Sequence, residues 1–168
     1  YRRQRQMCIR DSYNNNQITS NLNDANWVSL YNIISQTNAV INNIDKAEFY
    51  DSNHHDELLA EAYCVRAWCY FQLVRLWGDI PLITNFISSL NDPQLYPERS
   101  PKQDVYELIK TDIGLAAQLY KSTTITDRCR VSRPAILMLQ TDIYLWLYKV
   151  VEKKTSRVFI PKMKPEEE

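Results

Sequence analysis

The segment from Glu61 to Ile83, EAYCVRAWCYFQLVRLWGDIPLI, constrains the fold more than any other part of this sequence. Its first part is mostly apolar at helical spacing, with a single arginine, Arg66, inside the apolar face. Its second part ends the helix, because Gly78 readily adopts the positive φ of a helix C-terminus and Pro81 prevents the helix from resuming. The sequence therefore predicts a helix from about Asp56 to Trp77, followed by extended chain.

Two further helices are predicted from apolar residues that recur at helical spacing. The first runs from about Asp24 to Ile44, with Asp24 as its N-cap. Asn38 falls inside its apolar stripe and is therefore expected to be buried and hydrogen-bonded. The last helix runs from about Ser132 to Val151. Because residues 143–148 are apolar on every side, this helix is expected to lie at the centre of the fold.

The remaining helix has the clearest start signal in the chain. Ser100 is predicted as its N-cap, Pro101 occupies the first helical position, and Gln103 completes a capping box. An apolar stripe then follows to Tyr120. Replacing Ser100 by alanine is expected to destabilise the protein by about 1 kcal/mol.

These four helices indicate an all-α fold built from antiparallel helical hairpins. The chain has only 2 glycines, which argues against a β-sandwich or barrel with many tight turns. Residues 13–151 are assigned to the helical domain, and residues 152–168 are expected to form a flexible charged tail. Residues 1–12 contain the stretch RRQRQMCIRDS, which is similar to a translated sequencing adapter. This segment is therefore expected to be artefactual or disordered.

Two charged residues occupy positions where the helical pattern requires apolar side chains. Arg66 lies within the apolar stripe of the second helix, and Asp112 lies within that of the third. Burying either charge alone is costly, so we expect an interhelical ion pair that fixes the register of the two helices. Asp142 on the last helix is a rival partner for Arg66. A catalytic arginine–carboxylate pair is disfavoured, because no base or nucleophile is placed beside it.

Other candidate chemical groups define no site. His54 and His55, with Asp51 or Asp56, could be imagined as metal ligands, but adjacent side chains point apart, which favours a solvated loop. The formal net charge of +0 gives no case for nucleic-acid binding. The sequence contains no nucleophile elbow, zincin helix or phosphate-binding glycine loop.

The 4 tryptophans could belong to the core or to an aromatic platform for a sugar. Trp27, Trp77 and Trp146 fall on helical stripes, which favours core packing. Trp68 lies on the more polar side of its helix, and that side is expected to meet either another helix or the missing remainder of the protein. Residues before the first helix and in a later loop are better placed to contact a ligand: Tyr13, Asn23, Asn26 and Tyr96.

Successive segments resemble one known family in their order and spacing. The segments are WVSLYNIISQTNAVI (27–41, with Asn38 in its customary place), LLAEAYCVRAWCYFQLVRLWGDIPLI (58–83), RSPKQDVYELIKTDIGLAAQLY (99–120, including Asp112) and, less closely, RVSRPAILMLQTDIYLWLY (130–148). The most specific segment ends with four residues of the pattern: Trp77, Gly78, Asp79 and Pro81. Together they resemble the SusD/RagB family of outer-membrane nutrient-binding lipoproteins.

The resemblance implies a tetratricopeptide-like scaffold that is not enzymatic and uses no cofactor. The full-length parent would be a surface-exposed lipoprotein of the outer membrane in Bacteroidetes, binding oligosaccharides or, in some members, peptides. Its partner would be a TonB-dependent, SusC-like transporter. The matching residues are scaffold residues, so this fragment is expected to bind sugars weakly or not at all. A general tetratricopeptide-like adaptor for other proteins is the alternative, and a glycosidase would need two carboxylates converging in one cleft.

Overall fold

The computed structural model describes residues 27–86, 97–122 and 129–156. These ranges are predominantly helical, which confirms the all-α fold, and none of their helices is both long and apolar enough to cross a bilayer. The elements follow in this order: α1 (Val28–Asn43), a 3₁₀ turn (Ile44–Lys46), α2 (Ser52–Trp77), β1 (Ile80–Pro81), β2 (Arg99–Ser100), α3 (Lys102–Leu119) and α4 (Arg133–Ser156).

Helix α2 begins earlier than predicted, at Ser52. Asp51 has an extended backbone (φ −127°, ψ 121°), and its carboxylate accepts a hydrogen bond from the backbone amide of Asn53. An N-cap of this kind satisfies one of the amides that have no partner inside the helix. The assignment of this stretch to a solvated loop is therefore wrong, and His54 and His55 lie in the first turns of α2.

Helix α2 is the centre of the fold, because α1 and α3 both pack along it. Its fully buried side chains come from several sides of the helix: Ala60, Ala67, Cys69, Tyr70, Phe71 and Leu73. Trp68 remains 43% exposed, so no helix among the described residues covers it fully, and its cover by a missing part of the protein stays a prediction.

Helix α4 is peripheral, and the expectation that it lies at the centre is wrong. Ile136 and Ile143 are fully buried on the face that packs mainly against α3. Tyr144 and Leu145, from the segment that is apolar on every side, are 48% and 57% exposed. Apolar side chains are stabilised by burial. Their composition does not determine whether other residues of this chain bury them.

The two outer helices differ from the predictions at their ends. Helix α1 begins at Val28, with Trp27 in the N-cap position and no side-chain hydrogen bond to the helix. The predicted cap, Asp24, lies outside the described residues. Helix α4 continues to Ser156, beyond the predicted end at Val151.

The connection from α2 to α3 begins at Gly78, which has the predicted positive φ of 74°. The chain then turns into β1, which pairs antiparallel with β2 through Ile80 and Ser100. Asp79 reaches across this small sheet, and its Oδ1 accepts a hydrogen bond from the Lys102 amide at 3.0 Å. The start of α3 is thus capped by a residue from the end of α2.

The predicted capping box is wrong. The residue before α3 is Pro101, which gives no side-chain cap, and Ser100 belongs to β2. A local motif cannot anticipate a carboxylate that arrives from the preceding connection, because that contact depends on the tertiary fold.

We expect Asp79→Ala to lower the free energy of unfolding by about 1 kcal/mol, because it leaves the first turn of α3 without its cap. Ser100→Ala is the matched control and is expected to change this free energy by less than half as much. Urea unfolding followed by circular dichroism measures both changes. A larger loss for Ser100→Ala than for Asp79→Ala would contradict the assignment of the cap.

Candidate functional site

A buried ion pair joins α2 to α3, as the sequence predicted. Arg66 Nε donates to Asp112 Oδ2 at 2.7 Å, and Arg66 Nη2 donates to Oδ1 at 2.8 Å. The two residues are 5% and 1% exposed, so the pair is almost completely desolvated. Asp142 does not compete for Arg66, because it lies on an exposed surface, where its Oδ2 is 4.0 Å from Arg75 Nη1.

The burial of Asp112 acts against its ionisation. Removal from water raises the pKa of the Asp112 carboxyl above its usual value, while the hydrogen bonds and the charge of Arg66 lower it and oppose that shift. The bidentate geometry of the guanidinium stabilises the charged form that the burial disfavours.

Asn38 extends this network from the ion pair to the backbone that follows α2. The side chain is fully buried, as predicted, and its Oδ1 accepts a hydrogen bond from Arg66 Nη1 at 2.9 Å. Its Nδ2 donates to the carbonyl oxygens of Ile83, at 2.9 Å, and Asn85, at 3.3 Å. One amide side chain therefore connects a buried cation to two main-chain carbonyls.

Two tyrosines hold the same backbone segment. The Tyr31 hydroxyl donates to the Pro81 carbonyl at 2.6 Å, and the Tyr70 hydroxyl both donates to the Ile83 carbonyl and accepts from the Ile83 amide at 2.8 Å. Burial raises the pKa of Tyr70 to about 12, so this hydroxyl stays protonated and can perform both roles. Residues 81–85 are thus fixed by hydrogen bonds from α1 and α2.

The fixed segment forms one wall of a groove along α1. The groove has a volume of about 220 Å³ and is lined by Trp27, Val28, Tyr31, Asn32, Pro81, Ile83 and Pro97. A smaller hollow of about 70 Å³ adjoins it, sharing Tyr31 and Ile83 and adding Ser35 and Asn85. The groove and the adjoining hollow together present aromatic rings, small apolar groups and amide side chains on one surface.

Trp27 contributes to this groove from the edge of the core. Its ring packs against Tyr31 at 5.9 Å and Trp77 at 6.1 Å, and the Arg99 guanidinium lies 5.2 Å from the ring centroid. Trp146 likewise packs edge-on against Phe71. Core packing of the three tryptophans on helical stripes is therefore confirmed. The other residues predicted as ligand contacts (Tyr13, Asn23, Asn26 and Tyr96) lie outside the described residues.

A larger cavity of about 500 Å³ lies between the start of α2 and the end of α3. Its lining is mainly polar and acidic and contains no aromatic ring: Asp51, Asn53, Asp56, Glu57, Leu119, Lys121 and Ser122. Beside it, His55 bridges Asp45 and Asp56 at 3.2 and 3.3 Å, and the hydrogen bond to Asp56 is the main reason that the pKa of His55 is raised. This polar cavity lacks the aromatic stacking surface that the α1 groove offers.

Comparisons with known proteins agree with this architecture. SusD-like protein P38 of Formosa agariphila is 29% identical over 144 residues, which cover 84% of this chain and 27% of that protein. A crystal structure with xylogluco-oligosaccharide is 26% identical and superimposes with a TM-score of 0.66, covering 77% of this chain and 25% of that one. A laminarin-binding SusD-like protein, 23% identical, has the same fold with a TM-score of 0.66 over 73% of this chain and 26% of that one.

This chain spans about a quarter of the length of these relatives. A family model described as "Starch-binding associating with outer membrane" matches residues 2–145. The match includes residues 2–12, whose artefactual origin stays a prediction. The SusD-like proteins are binding proteins with a helical, tetratricopeptide-like scaffold, and this chain belongs to their family.

Proposed function

We propose that this chain is the scaffold part of an oligosaccharide-binding protein, and that the α1 groove contributes to its sugar-contacting surface. The observation that carries this proposal is the juxtaposition of Trp27, Tyr31 and Asn32 with a backbone segment fixed by buried hydrogen bonds. The bound xylogluco-oligosaccharide named for one structural relative supports the choice of ligand class.

The groove suits the chemistry of a sugar. Aromatic rings contact the apolar C–H faces of a pyranose, and amide groups such as that of Asn32 exchange hydrogen bonds with its hydroxyls. Because residues 81–85 are already fixed, a sugar does not have to order that wall when it binds. The groove is small and open, so we expect an affinity on the order of millimolar for this chain alone.

The role of the longer parent protein is a further part of the proposal. We infer a lipoprotein on the outer membrane that delivers oligosaccharides to a TonB-dependent, SusC-like transporter, without enzymatic activity. The description of the family as associating with the outer membrane supports this location. Affinity purification of the full-length parent from its native membrane tests the partnership, and recovery of the parent without a TonB-dependent transporter would contradict it.

The groove is tested by titrating ¹⁵N-labelled protein with a xyloglucan oligosaccharide and a maltooligosaccharide. We expect amide shift changes centred on residues 28–35 and 81–85. Asn32→Ala should weaken binding about fivefold, because one hydrogen bond to the sugar contributes about 1 kcal/mol.

Asn42→Ala is the matched control for that substitution. Asn42 is also exposed on α1 but lies about 15 Å further along the helix. It should leave the affinity unchanged. Binding that both substitutions weaken equally, or shift changes located elsewhere, would exclude the groove as the sugar contact. A protein adaptor, the alternative function, would show no response to either sugar.

A further inference from the structure

His55 lies between two carboxylates that belong to different elements. Its Nε2 is 3.2 Å from Asp45 Oδ1 in the 3₁₀ turn that follows α1, and its Nδ1 is 3.3 Å from Asp56 Oδ1 in α2. The imidazole also packs edge-on against Phe49, with the ring centroids 5.2 Å apart. One side chain thus joins the turn, the connection after it and the first turns of α2.

Only the protonated ring of His55 satisfies both carboxylates. An ionised carboxylate accepts hydrogen bonds but cannot donate one, and a neutral imidazole has a single N–H. With a neutral ring, either Asp45 or Asp56 would therefore face a nitrogen lone pair. The imidazolium ion carries an N–H on each nitrogen, so it can donate to both residues at once.

Two neighbouring lysines do not replace His55 in this bridge. On the turn, the Lys46 ammonium donates to Asn43 Oδ1 at 2.7 Å. At the end of α3, Lys121 contacts Asp56, but through Oδ2 at 3.5 Å, whereas His55 contacts Oδ1. The two cations at Asp56 thus use different oxygens of the same carboxylate.

Acidic side chains near the bridge favour the charged form of His55. Asp51 and Glu57 line the same polar cavity as Asp56, so negative charge accumulates at the start of α2. The hydrogen bond to Asp56 is the main cause of the raised pKa of His55, and Asp45 acts in the same direction while desolvation opposes them. The ring is 24% exposed, so it exchanges protons with the solvent directly.

We propose that His55 is a pH-sensitive clamp, which in its protonated form holds the 3₁₀ turn after α1 to the start of α2 and releases the turn when it loses its proton. Because the closed turn binds this proton more tightly, the clamp is complete below the ordinary histidine pKa of about 6.5 and is lost as the pH rises through the raised pKa of His55. The sugar groove lies at the other end of α1, so the clamp does not depend on the proposed function.

Hydrogen exchange of the Ala47 amide measures the clamp in the 168-residue chain, because this amide donates to the Ile44 carbonyl at 3.0 Å within the turn. The protection factor removes the pH dependence of the chemical exchange itself. We expect it to fall about fivefold between about pH 5 and 8. An NMR titration of the His55 ring should give the same midpoint as this fall.

Substitutions of His55 separate the effect of its charge from that of pH. His55→Gln is neutral throughout and should show the faster exchange of Ala47 at both ends of the range, whereas His55→Arg is charged throughout and should keep the exchange slow. Asp45→Asn should lower the pKa of His55 and reduce the pH dependence. His54→Gln is the matched control, since His54 contacts the same Phe49 ring at 6.1 Å, and it should leave the pH dependence unchanged.

The clamp is rejected by a protection factor of Ala47 that is the same at both ends of the range. It is also rejected if His55→Gln keeps the original pH dependence, or if Asp45→Asn leaves the pKa of His55 unaltered. A pH dependence that disappears in His54→Gln would assign the titration to the neighbouring histidine and would equally exclude the proposal. Circular dichroism checks that each variant keeps its helical content.

Discussion

Removing the Asp112 carboxylate alone is expected to lower the free energy of unfolding by about 3–5 kcal/mol. In Asp112→Ala, the guanidinium of Arg66 stays buried without the two hydrogen bonds that now balance its charge. The cost comes mainly from this uncompensated charge and only partly from the lost contact. Urea unfolding, followed by circular dichroism, measures the change.

The pairing itself is tested by a double-mutant cycle with Arg66→Met, Asp112→Leu and their combination. The double variant replaces both charges by apolar groups of similar volume and is expected to be more stable than either single variant. Glu107→Ala is the matched control, since Glu107 pairs with Lys110 on the exposed side of the same helix at 2.6 Å. It should cost less than about 1 kcal/mol. An absence of coupling between positions 66 and 112 would reject a register-fixing role for the pair.

The ion pair was predictable from sequence because an isolated buried charge is too costly to tolerate. Arg66 and Asp112 each stand inside an apolar helical stripe, so each demands a partner of opposite charge. The same reasoning predicts burial of Asn38, which the structure confirms at 0% exposure. The sequence could not predict that Asn38 also holds the carbonyls of Ile83 and Asn85, because that contact depends on the path of an irregular segment.

The errors in the prediction also have physical causes. The residues at the start of α2 are polar and therefore resemble a loop, yet Asp51 caps a helix there. The start of α3 carries a capping-box pattern, yet Asp79 from another element takes the role of the cap. Residues 143–148 of helix α4 are apolar on every side, and their sequence does not show which part of the protein covers them.

The buried amide of Asn38 links the stability of the fold to the candidate sugar groove. We expect Asn38→Ala to lower the free energy of unfolding by about 2–4 kcal/mol, because one hydrogen bond of Arg66 and bonds to two carbonyls are lost together. The loss should also loosen residues 81–85, which form one wall of the groove. Faster hydrogen exchange of the Ile83 amide, which donates to Tyr70, would report this loosening directly.

Asn38→Asp separates the two roles of this side chain. A carboxylate keeps an acceptor for Arg66 but replaces the Nδ2 donor by an oxygen that faces the Ile83 and Asn85 carbonyls. We therefore expect this variant to retain the contact with Arg66 while residues 81–85 still loosen. The amide chemical-shift changes that a sugar causes at these residues should become smaller. Asn42→Ala, on the exposed side of α1, should alter neither stability nor exchange. If Asn38→Asp kept both the slow exchange of Ile83 and full sugar binding, then the Asn38 amide would not be what holds the groove in place.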